Sequence, residues 1–124
     1  MSFKRSDRVG DQMKRELSDI LQRDLRDPHL GFVTLTEVEV SDDLSFAKVF
    51  WTVLGDEADK KRSLRVLNKA KGFLRGEVGR RLRLREAPEL IFKYDSSTER
   101  GLRIEQILEQ IKEEEQAREE EKDK

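Results

Sequence analysis

The chain has 124 residues, with 26 Lys and Arg, 27 Asp and Glu, one His and no Cys, and 43% of it is charged. That length fits one domain, and a charged fraction far above the usual quarter leaves some of the chain with no core to join, the C-terminal end first. Without cysteine there is neither a disulfide nor a thiolate metal site. No apolar run approaches the roughly 20 residues of a bilayer span, and the opening residues lack the apolar stretch of a secretory signal, so the expected setting is the cytoplasm.

Over residues 8–25 the apolar positions Val9, Met13, Leu17, Ile20, Leu21 and Leu25 recur at three- and four-residue steps, which predicts a helix with one buried face. Asp27-Pro28 ends it, because proline disfavours helical geometry in the residue before it and has no N–H to donate. Residues 32–40 read as a strand in which Val33 and Leu35 stand on one parity and Val38 and Val40 on the other, so a bulge is expected between them. The turn residues Ser41-Asp42-Asp43-Leu44-Ser45 lead to a second strand over 46–54, with Ala47, Val49, Trp51 and Val53 on one side. A connection this short makes the pair an antiparallel hairpin.

After Gly55-Asp56, Leu64, Leu67 and Ala70 mark a helix whose opposite face carries Lys61, Arg65 and Lys69. The pattern breaks at Ala70-Lys71-Gly72 and resumes with Leu74, Val78 and Leu82, which predicts a further helix leaving at an angle. Past Pro88, Leu90, Phe92 and Tyr94 share one face of a third strand. The order is α-β-β-α-α-β, an α+β chain. Ser96 and Glu99 have capping-box spacing, and Ile104, Ile107, Leu108 and Ile111 follow at helical steps. Eleven of the thirteen residues 112–124 are charged, which predicts a solvated extension or flexible tail. The expected organisation is a domain over 1–95, a helix over 96–111 packing on that domain or on a partner, and a charged tail over 112–124.

Charge placement says more than the net charge of −1. Residues 60–85 hold eleven basic residues and a single acid, Glu77. Solvated helical faces normally mix their signs, because like charges four apart repel; an unmixed run is an electrostatic footprint for a polyanion. Gly76 and Gly79, each costing about 1 kcal/mol against Ala in a helix, add a sign of close approach, by RNA backbone or by a packed neighbour. Catalytic apparatus is thin by comparison. His29 is the sole histidine and follows a helix end, where a capping or exposed role suits it; Asp42-Asp43 is explained by a hairpin turn; and no phosphate-binding glycine loop is present. No enzyme activity, metal or cofactor is expected. Of the aromatic residues, Phe46, Phe50, Trp51 and Tyr94 could stack on bases, but a core role accounts for them better.

The strings Asp27-Pro28-His29-Leu30-Gly31, Asp43-Leu44-Ser45-Phe46-Ala47-Lys48-Val49, Ala70-Lys71-Gly72-Phe73-Leu74-Arg75, Leu82-Arg83-Leu84-Arg85, Pro88-Glu89-Leu90 and Tyr94-Asp95-Ser96-Ser97, in this order and spacing, resemble the bacterial ribosome-binding factor A family over about residues 5–110. The resemblance implies a type II K-homology (KH) domain in which an Ala-x-Gly kink, here Ala70 and Gly72, replaces the usual Gly-x-x-Gly loop. Gly76-Glu77-Val78-Gly79 matches that loop literally, but it lies in a helical pattern and carries a carboxylate where phosphate would sit. His29 stands where the family commonly has Arg. By resemblance the chain is a monomeric assembly factor that binds immature 30S subunits, contacts 16S rRNA, assists late maturation of its 5′ region, and matters most in the cold. Other assembly factors, such as a ribosome-associated GTPase, would be further partners. The expected RNA contacts are Arg5, Arg8, Lys61, Arg65, Lys69, Lys71, Arg75, Arg80, Arg83 and Arg85, forming a ridge along two helices that meet at the kink. The alternative is a protein-interaction module docking through Ile104, Ile107, Leu108 and Ile111.

Overall fold

A computed structural model of the chain describes residues 4–25, 27–97 and 110–118. Its elements run α1 (Arg5–Arg23), β1 (Val33–Val40), β2 (Phe46–Val53), α2 (Glu57–Lys69), α3 (Lys71–Arg81) and β3 (Glu89–Tyr94). The strands form one sheet in the order β1-β2-β3, with β1 antiparallel and β3 parallel to β2. The parallel pair is possible because α2 and α3 together make the long crossover that parallel strands require.

The helices close over one face of this sheet. Ala47, Val49 and Trp51 from β2, Leu90 from β3, Met13, Leu17 and Ile20 from α1, Leu67 from α2 and Leu74 and Val78 from α3 are all essentially inaccessible to solvent. Trp51 meets the Tyr94 ring edge-on at 5.1 Å, so both are core aromatics. On the opposite parity of β2, Phe46 and Lys48 are exposed and Phe50 is half-buried. The parity change anticipated in β1 is a bulge: Leu35 pairs with Trp51 and Glu37 with Phe50, leaving Thr36 as the extra residue. The Thr36 hydroxyl donates to the Asp95 carboxylate at 2.7 Å, joining the bulge to the end of β3.

Three boundaries differ from expectation. Helix α1 starts at Arg5 and ends at Arg23, earlier at both ends than 8–25. It starts early because Asp7 accepts the Lys4 backbone N–H and so caps the first turn. The break between α2 and α3 is confined to Ala70 (φ −86°, ψ 0°), which ends one helix and begins the next, so α3 starts before Gly72 rather than after it. In the hairpin turn Leu44 takes a positive φ of 62°. There Asp43 accepts from the Ser45 and Ser41 hydroxyls and from Ser45 N–H, and these bonds hold its carboxyl at a pKa of about 2.

Past β3, Asp95 accepts both the backbone N–H and the hydroxyl of Ser97. The Ser96–Glu99 capping box and the Ile104, Ile107 and Leu108 stripe lie wholly or partly outside the described residues. Residues 110–118 are helical and exposed, with Ile111 46% accessible. Among the described residues, no helix is long and apolar enough to cross a membrane.

Candidate nucleic-acid interface

The basic run of residues 60–85 divides into cations that hold the fold and cations that face solvent. Arg81 belongs to the first group. Leu74 and Val78 are the buried positions of α3, and Arg81 continues their i, i+4, i+7 stripe towards α1. There its guanidinium meets Glu16 at 3.0 Å, Asp19 at 2.8 Å and Asp24 at 2.8 Å, with Glu77 at 3.6 Å. Its bonds to Asp19 and Glu16 stabilise the charged guanidinium, and in return Asp19 is held below the usual carboxylate range. Arg62 pairs with Asp59, while Lys60 pairs with Glu57 and sits 3.9 Å over the Tyr94 ring. None of these three was expected to contact RNA, and the structure keeps them occupied.

Among the described residues, Lys61, Arg65 and Lys69 of α2 and Arg83 and Arg85 after α3 have no ion-pair partner. Gly72, Gly76, Arg80, Arg83 and Arg85 border an open groove of about 510 Å³. Arg75 lies along it, but its Nε and Nη2 donate to the Ala87 carbonyl at 3.0 and 2.8 Å, so Arg75 braces the return segment as well as lining the groove. Arg80 is held by Glu77 at 2.8 Å while remaining largely exposed. The Arg80 bond is the main cause holding the Glu77 carboxyl below its ordinary range, so this carboxylate faces its own arginine and Gly76-x-x-Gly79 is plain helix.

The end of α3 is a Schellman turn: Leu84 N–H donates to Gly79 O, Arg83 N–H donates to Arg80 O, and Arg83 takes a left-handed φ of 53°. Glycine is the residue that adopts this conformation without strain, yet an arginine occupies it. Around the groove the three glycines of α3 are not equivalent. A Cβ on Gly79 would stand 2.9 Å from the Ala87 Cβ, so its neighbour is the protein itself. A Cβ on Gly72 or Gly76 would meet nothing within 4 Å. Among the described residues, no contact accounts for the helix carrying glycine at those two positions.

A second groove of about 450 Å³ shares Arg75 and Arg85 with the first and extends the tract to Arg5, with Asp43, Glu86 and Glu89 on its rim. A third, of about 410 Å³, is lined by Arg65 and Lys69 of α2 together with Arg62, Val66, Asp27 and His29. It shares no residue with the other two. Of the expected residues, Arg65 and Lys69 thus border a groove on α2, while Arg75, Arg80, Arg83, Arg85 and Arg5 border the other two. Lys61 on α2 and Arg8 on α1 are exposed and line none of the three grooves, and half-buried Lys71 lies 6.0 Å from the Phe92 ring. Sequence reasoning does not find His29 in the α2 groove; its position after a helix-ending Asp-Pro gives no sign of which helix it will face. Arg81 lies outside the expected RNA set, and the apolar stripe of α3 already marks that residue as inward-facing.

The whole domain matches the family model described as Ribosome-binding factor A, over residues 5–108. Ribosome-binding factor A of Desulfitobacterium hafniense (strain DSM 10664 / DCB-2) is 50% identical over 116 residues, covering 94% of this chain and 93% of that protein. The crystal structure of ribosome-binding factor A from Thermus thermophilus superposes with a TM-score of 0.64 at 31% identity, covering 72% of this chain and 93% of that one. A similar match, TM-score 0.60 at 32% identity over 70% of this chain and 91% of the other, is to the Thermus thermophilus protein as a homology model fitted into a cryo-EM map of its complex with the 30S subunit.

Proposed function

Because the chain belongs to the ribosome-binding factor A family, we propose that it binds the immature 30S subunit by gripping 16S rRNA along the α3 tract. The observation that carries this reading is the open groove in which Arg80, Arg83 and Arg85 border a helix surface left bare at Gly72 and Gly76. Arginines supply forked donors for phosphate oxygens, and two helical glycines with free space above them let a sugar–phosphate backbone approach the helix closely. Such contacts set position and register without reading bases, so selectivity comes from the folded shape of the RNA.

A binder of this kind acts without catalysis. It shifts an equilibrium between rRNA conformers by the difference in its affinity for them, and assistance to late maturation of the 5′ region, with greatest need in the cold, follows if the favoured conformer is the one that matures. The T. thermophilus relative fitted to a 30S subunit supports the choice of partner.

Cosedimentation of the full chain with isolated 30S subunits and with 70S ribosomes, across a salt series, tests the reading. Binding to free 30S subunits should predominate. Replacing Arg80, Arg83 and Arg85 together by Ala should lower the magnitude of the log K against log salt slope by up to about three, roughly one for each phosphate that is no longer neutralised. Arg75 is left in place because it braces Ala87. Unaltered binding and salt dependence in the triple variant would overturn the assignment of this face.

A further inference from the structure

Of Phe46, Phe50, Trp51 and Tyr94, Trp51 is buried, Phe50 and Tyr94 are half-buried, and Phe46 alone is exposed, with 48% of its surface open. Phe46 lines the groove of about 450 Å³ that also holds Arg5, Arg85 and Glu89. The backbone fixes its position at the start of β2: its N–H donates to Ser41 Oγ at 3.0 Å, and its carbonyl accepts from Ser41 N–H at 2.9 Å. Glu89, its partner on β3, is fixed in turn by an N–H bond to the Ser45 carbonyl at 2.9 Å. Paired residues of neighbouring strands stand about 4.8 Å apart on one face of a sheet, so the ring and the carboxylate lie side by side. Among the described residues, Arg5, Arg85 and Glu89 have no ion-pair partner. Glu86 shares the rim with Glu89, while Asp43 is engaged by the Ser41 and Ser45 hydroxyls. A groove that served only to clamp phosphate would gain nothing from these carboxylates, which repel it. A nucleotide uses every part, because its base has a flat apolar face and donors on its edge, and its phosphates flank both.

We propose that this groove takes one unpaired base of a single-stranded RNA segment, with Phe46 stacked on its face, the Glu89 carboxylate accepting from its amino group, and Arg5 and Arg85 on the flanking phosphates. The proposal rests on the RNA-binding reading above and adds base recognition to the phosphate contacts described there. Stacking tolerates any base, since each has a π-face; the carboxylate discriminates, because it accepts from an amino group such as cytosine N4 and uracil has none. Both side chains stand on paired strands, so the subsite is preorganised and little ordering is needed when the base enters.

The test is binding of the full chain to isolated 30S subunits and to short single-stranded tracts of cytidine or uridine, across a salt series. Phe46→Leu should weaken binding to 30S subunits and to the cytidine tract about tenfold, within the range of one stacked base. The slope of log K against log salt should not change, since no phosphate contact is lost. Phe46→Trp, which keeps a stacking face, should retain wild-type affinity. The cytidine tract should bind more tightly than the uridine tract, and Glu89→Gln should remove that preference. Wild-type affinity in F46L while Arg83→Ala is impaired overturns the base site and leaves the α3 reading standing; wild-type affinity in both overturns the RNA-binding reading itself. A loss in F46L that F46W does not restore, or that appears on 30S subunits but not on the cytidine tract, overturns the stacking role. Equal binding of the two tracts by the wild-type chain, or no binding of either, overturns the recognition of an amino-bearing base. Thermal melting of each variant shows that the fold is retained.

Discussion

Arg81 and Arg83 are two residues apart and do opposite work. Arg81 faces inward to three carboxylates of α1 and its following turn; Arg83 faces outward from a strained backbone position. Replacing Arg83 by Gly relieves the left-handed strain and should raise stability by about 1 kcal/mol, while weakening binding to 30S subunits. A variant whose melting temperature rises and whose RNA affinity is intact would show that the strain serves no contact. Arg81→Met should lower the melting temperature without altering the salt slope of RNA binding. Because Asp19 is held below its ordinary range by Arg81, the clamp contributes fully above the unfolded carboxylate pKa of about 4 and is lost as pH falls further. Wild type and R81M should therefore converge in acid, measured by thermal melting from pH 7 to pH 3.

Helix α1 lies close against β1 at Gly10. A Cβ on Gly10 would stand 2.6 Å from the Val38 carbonyl oxygen, a backbone atom tied into the sheet that has no rotamer by which to yield. Gly10→Ala should thus cost about 1–3 kcal/mol as an overpacked contact, although alanine is the better helix former. Denaturant unfolding of that variant checks it; an unchanged midpoint would mean that α1 can lift off β1 freely. The strand parities, the bulge and the α2–α3 break are all legible in the chain, since each is a local switch of apolar period. Gly10 carries no such signal: its need for a bare backbone arises from Val38, on a strand distant in the chain. The start of α3 departs from expectation for a related reason. Glycine is the natural breaker on sequence grounds, but Ala70 alone absorbs the turn, and Gly72 is helical with open space above it.

Across the whole molecule, basic and acidic side chains differ in where they gather. The residues bordering the grooves of α2 and α3 include arginine, lysine and histidine, whereas Glu37 and Glu39 are exposed on β1. Residues 112–124 carry four bases and seven acids, and the described portion, 112–118, is an exposed helix. An appended segment of net negative charge repels polyanions that lack shape complementarity, so removing residues 112–124 should raise affinity for an unrelated RNA duplex a few-fold at low salt, with the gain vanishing as the Debye length shrinks. Equal affinity of the full and shortened chains in a filter-binding titration would remove that role.

By itself the sequence determined the order of elements, the faces they bury and the existence of an unmixed basic run, because periodicity and composition are local properties that side-chain chemistry enforces within a few residues. Which of those cations are free was decided only by the tertiary structure. Arg81 is consumed by carboxylates 57 to 65 residues earlier, Arg75 is turned to a carbonyl 12 residues on, and His29 is carried to α2 by a hydrogen bond spanning 32 residues. Charge follows from residue type, but its availability depends on what folding brings within a few ångströms of it.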